Sequence, residues 1–222
     1  MIKWSDIDTV LLDMDGTLLD LSFDNFFWLE YLPARYASQQ SLPLAQARAR
    51  LAELSSTLQG SLNWYCLDHW SATLGLDVEA LKQEVREHIR FRPGAADFLS
   101  HLRKLAKPSI LITNAHPRSL ALKLAASGLH RHLDRLVSSH EFALAKENPG
   151  FWHKFREREQ LDLSRCLFLD DNPAVLACAR REGVGHLLQV LQPDTRMQPR
   201  PASEFPGLLD FAELMDPANE KD

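Results

Sequence analysis

The chain has 222 residues, of which 45% are hydrophobic, and a formal net charge of −5. That length and apolar content allow one ordinary domain plus a smaller companion around a sizeable core, and they exclude a disordered chain. The acidic balance argues against a phosphate-backbone binder, because the basic clusters (Arg90 with Arg92, and Lys154 with Arg156 and Arg158) are short and read as solvated helix faces.

In chain order, Met1–Asp6 leads into an apolar strand, Val10-Leu11-Leu12, which runs into Asp13-Met14-Asp15-Gly16-Thr17. Residues 20–92 carry little strand signal. Leu44–Leu58, Trp64–Leu74 (ended by Gly75) and Val78–Ile89 read as amphipathic helices. After residue 93 strands and helices alternate. Pro93-Gly94 opens a helix through Leu105, Ser109–Thr113 is a strand, and a helix follows from Pro117 to Gly128. Leu136–Ser138 is a short strand and Pro149 begins a helix carrying Phe151, Trp152 and Phe155. Cys166–Leu169 is a strand, Asn172-Pro173 caps the next helix, and His186–Val190 is the last strand. The proline-rich segment 193–207 reads as an extended surface tail.

This alternation predicts an α/β fold with a Rossmann-like parallel sheet. Residues 1–19 and 93–222 form the predicted core, and residues 20–92 form an inserted helical domain. In such sheets ligands sit beyond the carboxyl ends of the strands. Asp13, Thr113 and Asp171 fall near those ends, and Lys146 lies in a loop after one.

The spacing of Asp13 and Asp15 gives two carboxylates a similar starting orientation. A tight turn at Gly16 lets backbone amides approach an anion. Together these supply a carboxylate nucleophile, a general acid/base and a phosphate cradle. Ser109–Asn114, Leu144-Ala145-Lys146-Glu147-Asn148-Pro149 and Cys166–Asn172 add, in order, a hydroxyl with an amide, a lysine, and paired carboxylates. These residues point to a phosphate-processing enzyme. Mg²⁺ suits an oxygen-rich site that also binds substrate phosphate.

The four segments resemble the motifs of the haloacid dehalogenase superfamily over roughly residues 7–190. The resemblance implies that Asp13 attacks phosphorus, that Asp15 is the general acid/base, and that Thr113, Asn114 and Lys146 hold the phosphoryl group. It also implies Mg²⁺ ligation by the Asp13 side chain, the Asp15 carbonyl and Asp171, and a cap, formed by residues 20–92, that closes over the site. Dehalogenases of the superfamily lack the second acid, so Asp15 favours phosphoryl transfer. Two departures stand out: Val175 replaces an acid four residues beyond Asp171, and Glu147 replaces the proline that often follows the lysine. Asp170 is the candidate to supply the missing charge, by touching Lys146 or a metal-bound water.

The predicted cap is rich in aromatics, including Phe23, Phe26, Phe27, Trp28, Tyr31, Trp64, Tyr65 and Trp70. At helical spacing such residues first form a core, but a planar base also stacks on them. Asn63, His69, Arg92 and His116 are candidate polar readers. Asp13–Leu21, Leu62-Asn63-Trp64-Tyr65-Cys66-Leu67-Asp68 and Leu111–Pro117 resemble the bacterial GMP/IMP nucleotidases of the superfamily. That likeness implies hydrolysis of purine nucleoside 5′-monophosphates, with Trp64 and His116 as candidate substrate contacts. A sugar-phosphate phosphatase, a phosphomutase and a non-catalytic binding module are the competing readings. Phosphonatase chemistry would need a cap lysine, and Lys82, read as lying on a polar helical stretch, is the only lysine in residues 20–92.

Cys66, Cys166 and Cys178 are odd in number and form no CxxC, so their spacing suggests neither a disulfide framework nor a zinc site. There is no signal-peptide pattern and no 18-residue apolar span, which predicts a soluble cytoplasmic protein without a membrane partner; the partner that the four motifs imply is a small-molecule phosphomonoester substrate.

Overall fold

The computed structural model describes residues 2–216; residue 1 and residues 217–222, the two ends of the predicted core, lie outside the described residues. Six parallel strands form one sheet: β1 (Thr9–Leu12), β2 (Ser109–Thr113), β3 (Arg135–Ser138), β4 (Cys166–Asp170), β5 (His186–Val190) and β6 (Gly207–Leu208). Their spatial order is β3-β2-β1-β4-β5-β6. The chain therefore leaves β1 toward one edge and returns to its other side at β4. That switch point opens a crevice at the carboxyl ends of β1, β2 and β4.

Both faces of the sheet are covered, and the period-2 pattern decides which side chain goes where. Val10, Leu12, Leu111, Leu167 and Leu169 join one core cluster, whereas Leu11, Ile110, Ile112, Cys166 and Phe168 join the other. The second cluster packs against α9 (Pro149–Glu159) and α10 (Pro173–Arg181). Phe151, Trp152 and Phe155 from α9 are fully buried there, as the sequence predicts for this helix. Cys166 and Cys178 are buried on that side as small apolar groups.

The first cluster joins the sheet to α7 (Ala95–Lys104), α8 (Pro117–Ser127) and the helices between β1 and β2. Those helices are α1 (Ser22–Phe26), α2 (Leu32–Gln40), α3 (Leu44–Leu58), α4 (Leu62–Tyr65), α5 (Leu67–Leu74) and α6 (Val78–Glu84). A π-turn, Phe27–Tyr31, joins α1 to α2.

Three expectations need correction. The helix predicted over Trp64–Leu74 is broken at Cys66, whose extended backbone (φ −85°, ψ 113°) separates α4 from α5. The helix predicted over Val78–Ile89 ends at Glu84, and a 3-10 turn, Arg86–His88, follows. The 193–207 segment is more than a surface tail. It buries Asp194 and Phe205 and feeds β6, which pairs with β5 through Gln189↔Gly207 and Val190↔Leu208. Proline spacing conceals a two-residue strand, because the partner rather than the local sequence stabilises it.

Among the described residues no helix is long and apolar enough to cross a membrane. Phe155 stacks on Phe151 at 5.6 Å and meets Trp152 edge to face at 6.2 Å. Phe155→Ala is expected to destabilise the fold by about 3–5 kcal/mol through lost burial and a residual cavity. Urea unfolding followed by far-UV circular dichroism measures this, and a loss under 1 kcal/mol would contradict the packing described.

Candidate active site

Asp13 is the first residue past β1, and its N–H donates to the Leu169 carbonyl at 3.0 Å. The register pairs Leu12 with Leu111 on one side and Leu169 on the other. Asp13 therefore emerges beside the carboxyl ends of both neighbours, where Thr113 and Asp170 also lie. The chain then turns at Gly16, which has φ +86°. A Cβ there would stand 2.9 Å from both Asp171 Cγ and Pro193 Cβ, so glycine is required for conformation and for space.

Lys146 enters from the loop before α9 and is almost fully buried. Its Nζ donates to Asp13 Oδ1 at 2.5 Å, to Asp170 Oδ2 at 2.7 Å and to the Ile112 carbonyl at 3.1 Å. Its backbone is clamped as well. The N–H donates to Asn114 Oδ1 at 2.9 Å, and the carbonyl accepts from Trp152 Nε1 at 2.8 Å. Asn114 Nδ2 donates to Glu147 at 2.8 Å, and the Tyr65 hydroxyl donates to the other oxygen of that carboxylate at 2.6 Å. Glu147 thus ties Tyr65 to the end of β2. Thr113 Oγ1 accepts from Ala115 N–H at 3.0 Å, which leaves its own proton available to a ligand.

Of the two routes open to Asp170, the structure shows the direct contact with Lys146. Asp170 Oδ1 also accepts from the Asn172 N–H at 2.8 Å. Asp13, Asp170 and Asp171 each offer an oxygen within 4.8 Å of the others. Burial, with neighbouring carboxylates adding to it, pushes Asp13 to about 7, although Lys146 opposes the shift. Burial and Asp171 likewise raise Asp170 to about 6, against Lys146. Asp171 rises to about 7 through burial and Asp13, with Arg200, 3.5 Å away, opposing. Burial pulls the Lys146 ammonium down, but Asp13 and Asp170 outweigh it and hold the group above the ordinary lysine range. Three carboxylates facing one buried lysine leave an excess of negative charge on hard oxygen donors. That donor set fits a divalent cation of the Mg²⁺ kind.

Asp15 points elsewhere. Its Oδ1 is 2.6 Å from the Nζ of Lys123 on α8, and the same ammonium lies 2.6 Å from Asp24 Oδ2 on α1. Lys82 on α6 completes the chain at 2.8 Å from Asp24 Oδ1. Burial raises Asp15, and Lys123 opposes it. For Asp24 the two ammonium groups outweigh burial and hold its carboxyl far below the usual range. Lys82 is not on a solvated stretch, because its side chain is only 3% exposed and its ammonium lies 4.9 Å from the Phe27 ring centre. Burial lowers its pKa, against Asp24. Lys123, Asp24 and Glu147 line the site although sequence reasoning left them without a partner or without a role. Only long-range pairing reveals them.

The remaining candidates sit farther out. Trp64 Nε1 donates to Ser55 Oγ at 2.8 Å, and its ring meets Tyr65 edge to face at 4.9 Å. His116 caps α8 by accepting the Arg118 N–H, and its Nε2 is 3.5 Å from Asp68. Arg92 is buried and donates to the carbonyls of Thr17 and Gln192 at 3.3 and 3.1 Å, so it braces the loop that follows Asp13. His69 meets Trp70 edge to face at 6.2 Å.

The sheet order, the carboxylates at its switch point and the buried lysine define a hydrolase of the haloacid dehalogenase type. The chain belongs to the haloacid dehalogenase-like hydrolases, whose family model matches residues 7–183. It is 41% identical over 214 residues to the GMP/IMP nucleotidase YrfG of Escherichia coli, with 96% of each chain covered. A Shigella flexneri protein of the same name gives the same figures. Among solved structures, a HAD phosphatase from Thermococcus onnurineus superposes with a TM-score of 0.79 at 18% identity, covering 97% of this chain and all of that one. An L-2-haloacid dehalogenase from Xanthobacter autotrophicus gives 0.64 at 17% identity, with 97% and 100% covered. At these identities the structural likenesses establish the shared fold alone.

Asp24→Asn removes the anion that separates two buried ammonium groups. It is expected to destabilise the protein by about 3–5 kcal/mol. Urea denaturation checks this, and an unchanged midpoint would mean that the network contributes nothing.

Proposed function

We propose that the protein hydrolyses purine nucleoside 5′-monophosphates, GMP and IMP among them, to nucleoside and phosphate through a phosphorylated Asp13. The observation that carries the reading is the divergence of the two aspartates: Asp13 is held by Lys146 and Asp15 by Lys123. A nucleophile and a proton donor must approach one phosphorus from different sides, and adjacent, separately anchored carboxylates satisfy that need. The substrate class rests on the identity to the nucleotidases.

In this mechanism Asp13 attacks phosphorus, forming an acyl phosphate as the ester P–O bond breaks. Asp15, whose burial favours the protonated form, gives its proton to the departing ribose oxygen. It then takes a proton from the water that attacks the phosphorylated Asp13, which releases phosphate and restores the carboxylate. Lys146 and Thr113 donate to the phosphoryl oxygens as charge develops there, and Asn114 holds the Lys146 backbone in place. The Asp13 side chain, the Asp15 carbonyl and Asp171 would hold Mg²⁺, with Asp170 alongside. The ion supplies screening between the nucleophile and the dianionic phosphate. Residues 20–92 act as a cap that covers the crevice, with Trp64 and His116 on the side that meets the base.

Asp13→Asn is expected to reduce turnover at least about 10³-fold while leaving the fold intact, since it removes the covalent route but little volume. Steady-state phosphate release together with circular dichroism checks this, and retained activity would rule out Asp13 as nucleophile. The reading as a whole is tested by kcat/KM across nucleoside monophosphates, sugar phosphates and an aryl phosphate, with Mg²⁺ and after chelation. Preference for GMP and IMP, abolished by EDTA and restored by Mg²⁺, is the expected result. Preference for sugar phosphates would overturn the substrate, and indifference to chelation would overturn the metal.

A further inference from the structure

A second group of metal-ligating side chains lies outside the carboxylate cluster. Cys66, His116 and His140 are far apart in sequence, yet each offers one donor atom within 4.8 Å of the other two. Cys66 occupies the break between α4 and α5, His116 caps α8, and His140 lies in the 3-10 turn Ser139–Phe142 that follows β3. The two imidazole rings meet edge to face with centres 5.1 Å apart, and Cys66 is a free thiol.

The arrangement of His140 is the most telling. Its Nε2 is buried with no hydrogen-bond partner. A buried imidazole nitrogen without a partner, next to a thiol and a second imidazole, is free to bind a metal ion. A cluster serving only to pack would have given that buried nitrogen a donor. His116 is held by two long contacts, an amide at 3.3 Å on Nδ1 and Asp68 Oδ2 at 3.5 Å from Nε2, so its ring can adjust.

We propose that Cys66, His116 and His140 form a binding site for one transition-metal ion of the Zn²⁺ class, which bridges the helices between β1 and β2 to the sheet. Two imidazoles and a thiolate suit Zn²⁺ and reject Mg²⁺, whose preferred donors are the oxygens of the other cluster. The thiol releases its proton to solvent as the S–metal bond forms. Metal–ligand bonds of about 2.0–2.3 Å bring the three donors somewhat closer than they now lie, and the fourth tetrahedral position stays open to water or another ligand. Because Cys66 comes from one side of the crevice and the histidines from the other, the bound ion holds the two together. The site stands whatever substrate the carboxylate centre takes.

The test is titration of the full chain, zinc-free and with Mg²⁺ in excess, with Co²⁺ as a spectroscopic probe. One equivalent is expected to bind with a thiolate-to-cobalt charge-transfer band, and Zn²⁺ is expected to displace it. Cys66→Ser should abolish the band, and His140→Gln should weaken Co²⁺ binding by about tenfold or more. Both variants should keep the wild-type melting temperature without added metal. A measurement free of mutation is the alkylation of Cys66 by iodoacetamide, mapped by mass spectrometry, which Zn²⁺ should slow in the wild-type protein. No charge-transfer band in the wild type, a band that survives Cys66→Ser, or alkylation indifferent to Zn²⁺ would each overturn the proposal.

Discussion

The active-site end of the sheet depends on one buried ammonium. Lys146 lies between Asp13 and Asp170 at 2.5 and 2.7 Å, with side-chain exposures of 2%, 9% and 1%. A buried charge is tolerated only where partners and hydrogen bonds compensate for lost water. The lysine therefore holds the carboxyl ends of β1 and β4 in one relation, and its contact with the Ile112 carbonyl adds β2. The clamps on its own backbone, from Asn114 and Trp152, extend that constraint into the loop before α9. Electrostatics of this kind are strong at short range and intolerant of displacement, so the site is preorganised before any ligand arrives.

A second buried network does for the helices between β1 and β2 what Lys146 does for the strands. Asp15, Lys123, Asp24 and Lys82 alternate in sign and come from the loop after β1, α8, α1 and α6. Asp15 is thereby coupled to Asp24 and Lys82, two residues of the inserted helices. In the proposed reaction, the position and protonation of the general acid respond to where those helices sit. The Tyr65–Glu147–Asn114 contacts form a parallel link on the lysine side. The crevice is therefore spanned by two polar bridges, one beside each aspartate.

Chemistry at the crevice is sorted by donor type. Carboxylate oxygens gather around Asp13, while sulfur and imidazole nitrogen gather around His140. Hard and borderline-soft cations have opposite preferences for these sets, so neighbouring sites can discriminate between metals without different cavity sizes. Val175 is buried in the core with α9 and α10, and Asp170 places a carboxylate beside Lys146.

Much of this protein is determined locally and can be read residue by residue. Alternation of apolar side chains marks the strands, and Asn172-Pro173 and His116-Pro117 mark helix starts because capping is a contact over two or three residues. The Asp13–Gly16 turn announces its chemistry because strand periodicity and glycine's backbone freedom act within four positions. Helix breaks at Cys66 and Val85 and the short β6 are less legible, since tertiary packing outweighs propensity there. What only the tertiary structure decided is partnership. Lys146 and Asp13 are 133 positions apart, and Lys123 and Asp24 are 99 apart. A charged side chain carries no local mark of which opposite charge it will meet. Lys82 and Lys123 became buried ion-pair partners rather than surface lysines because the fold brought Asp24 between them, where low dielectric makes that pairing obligatory.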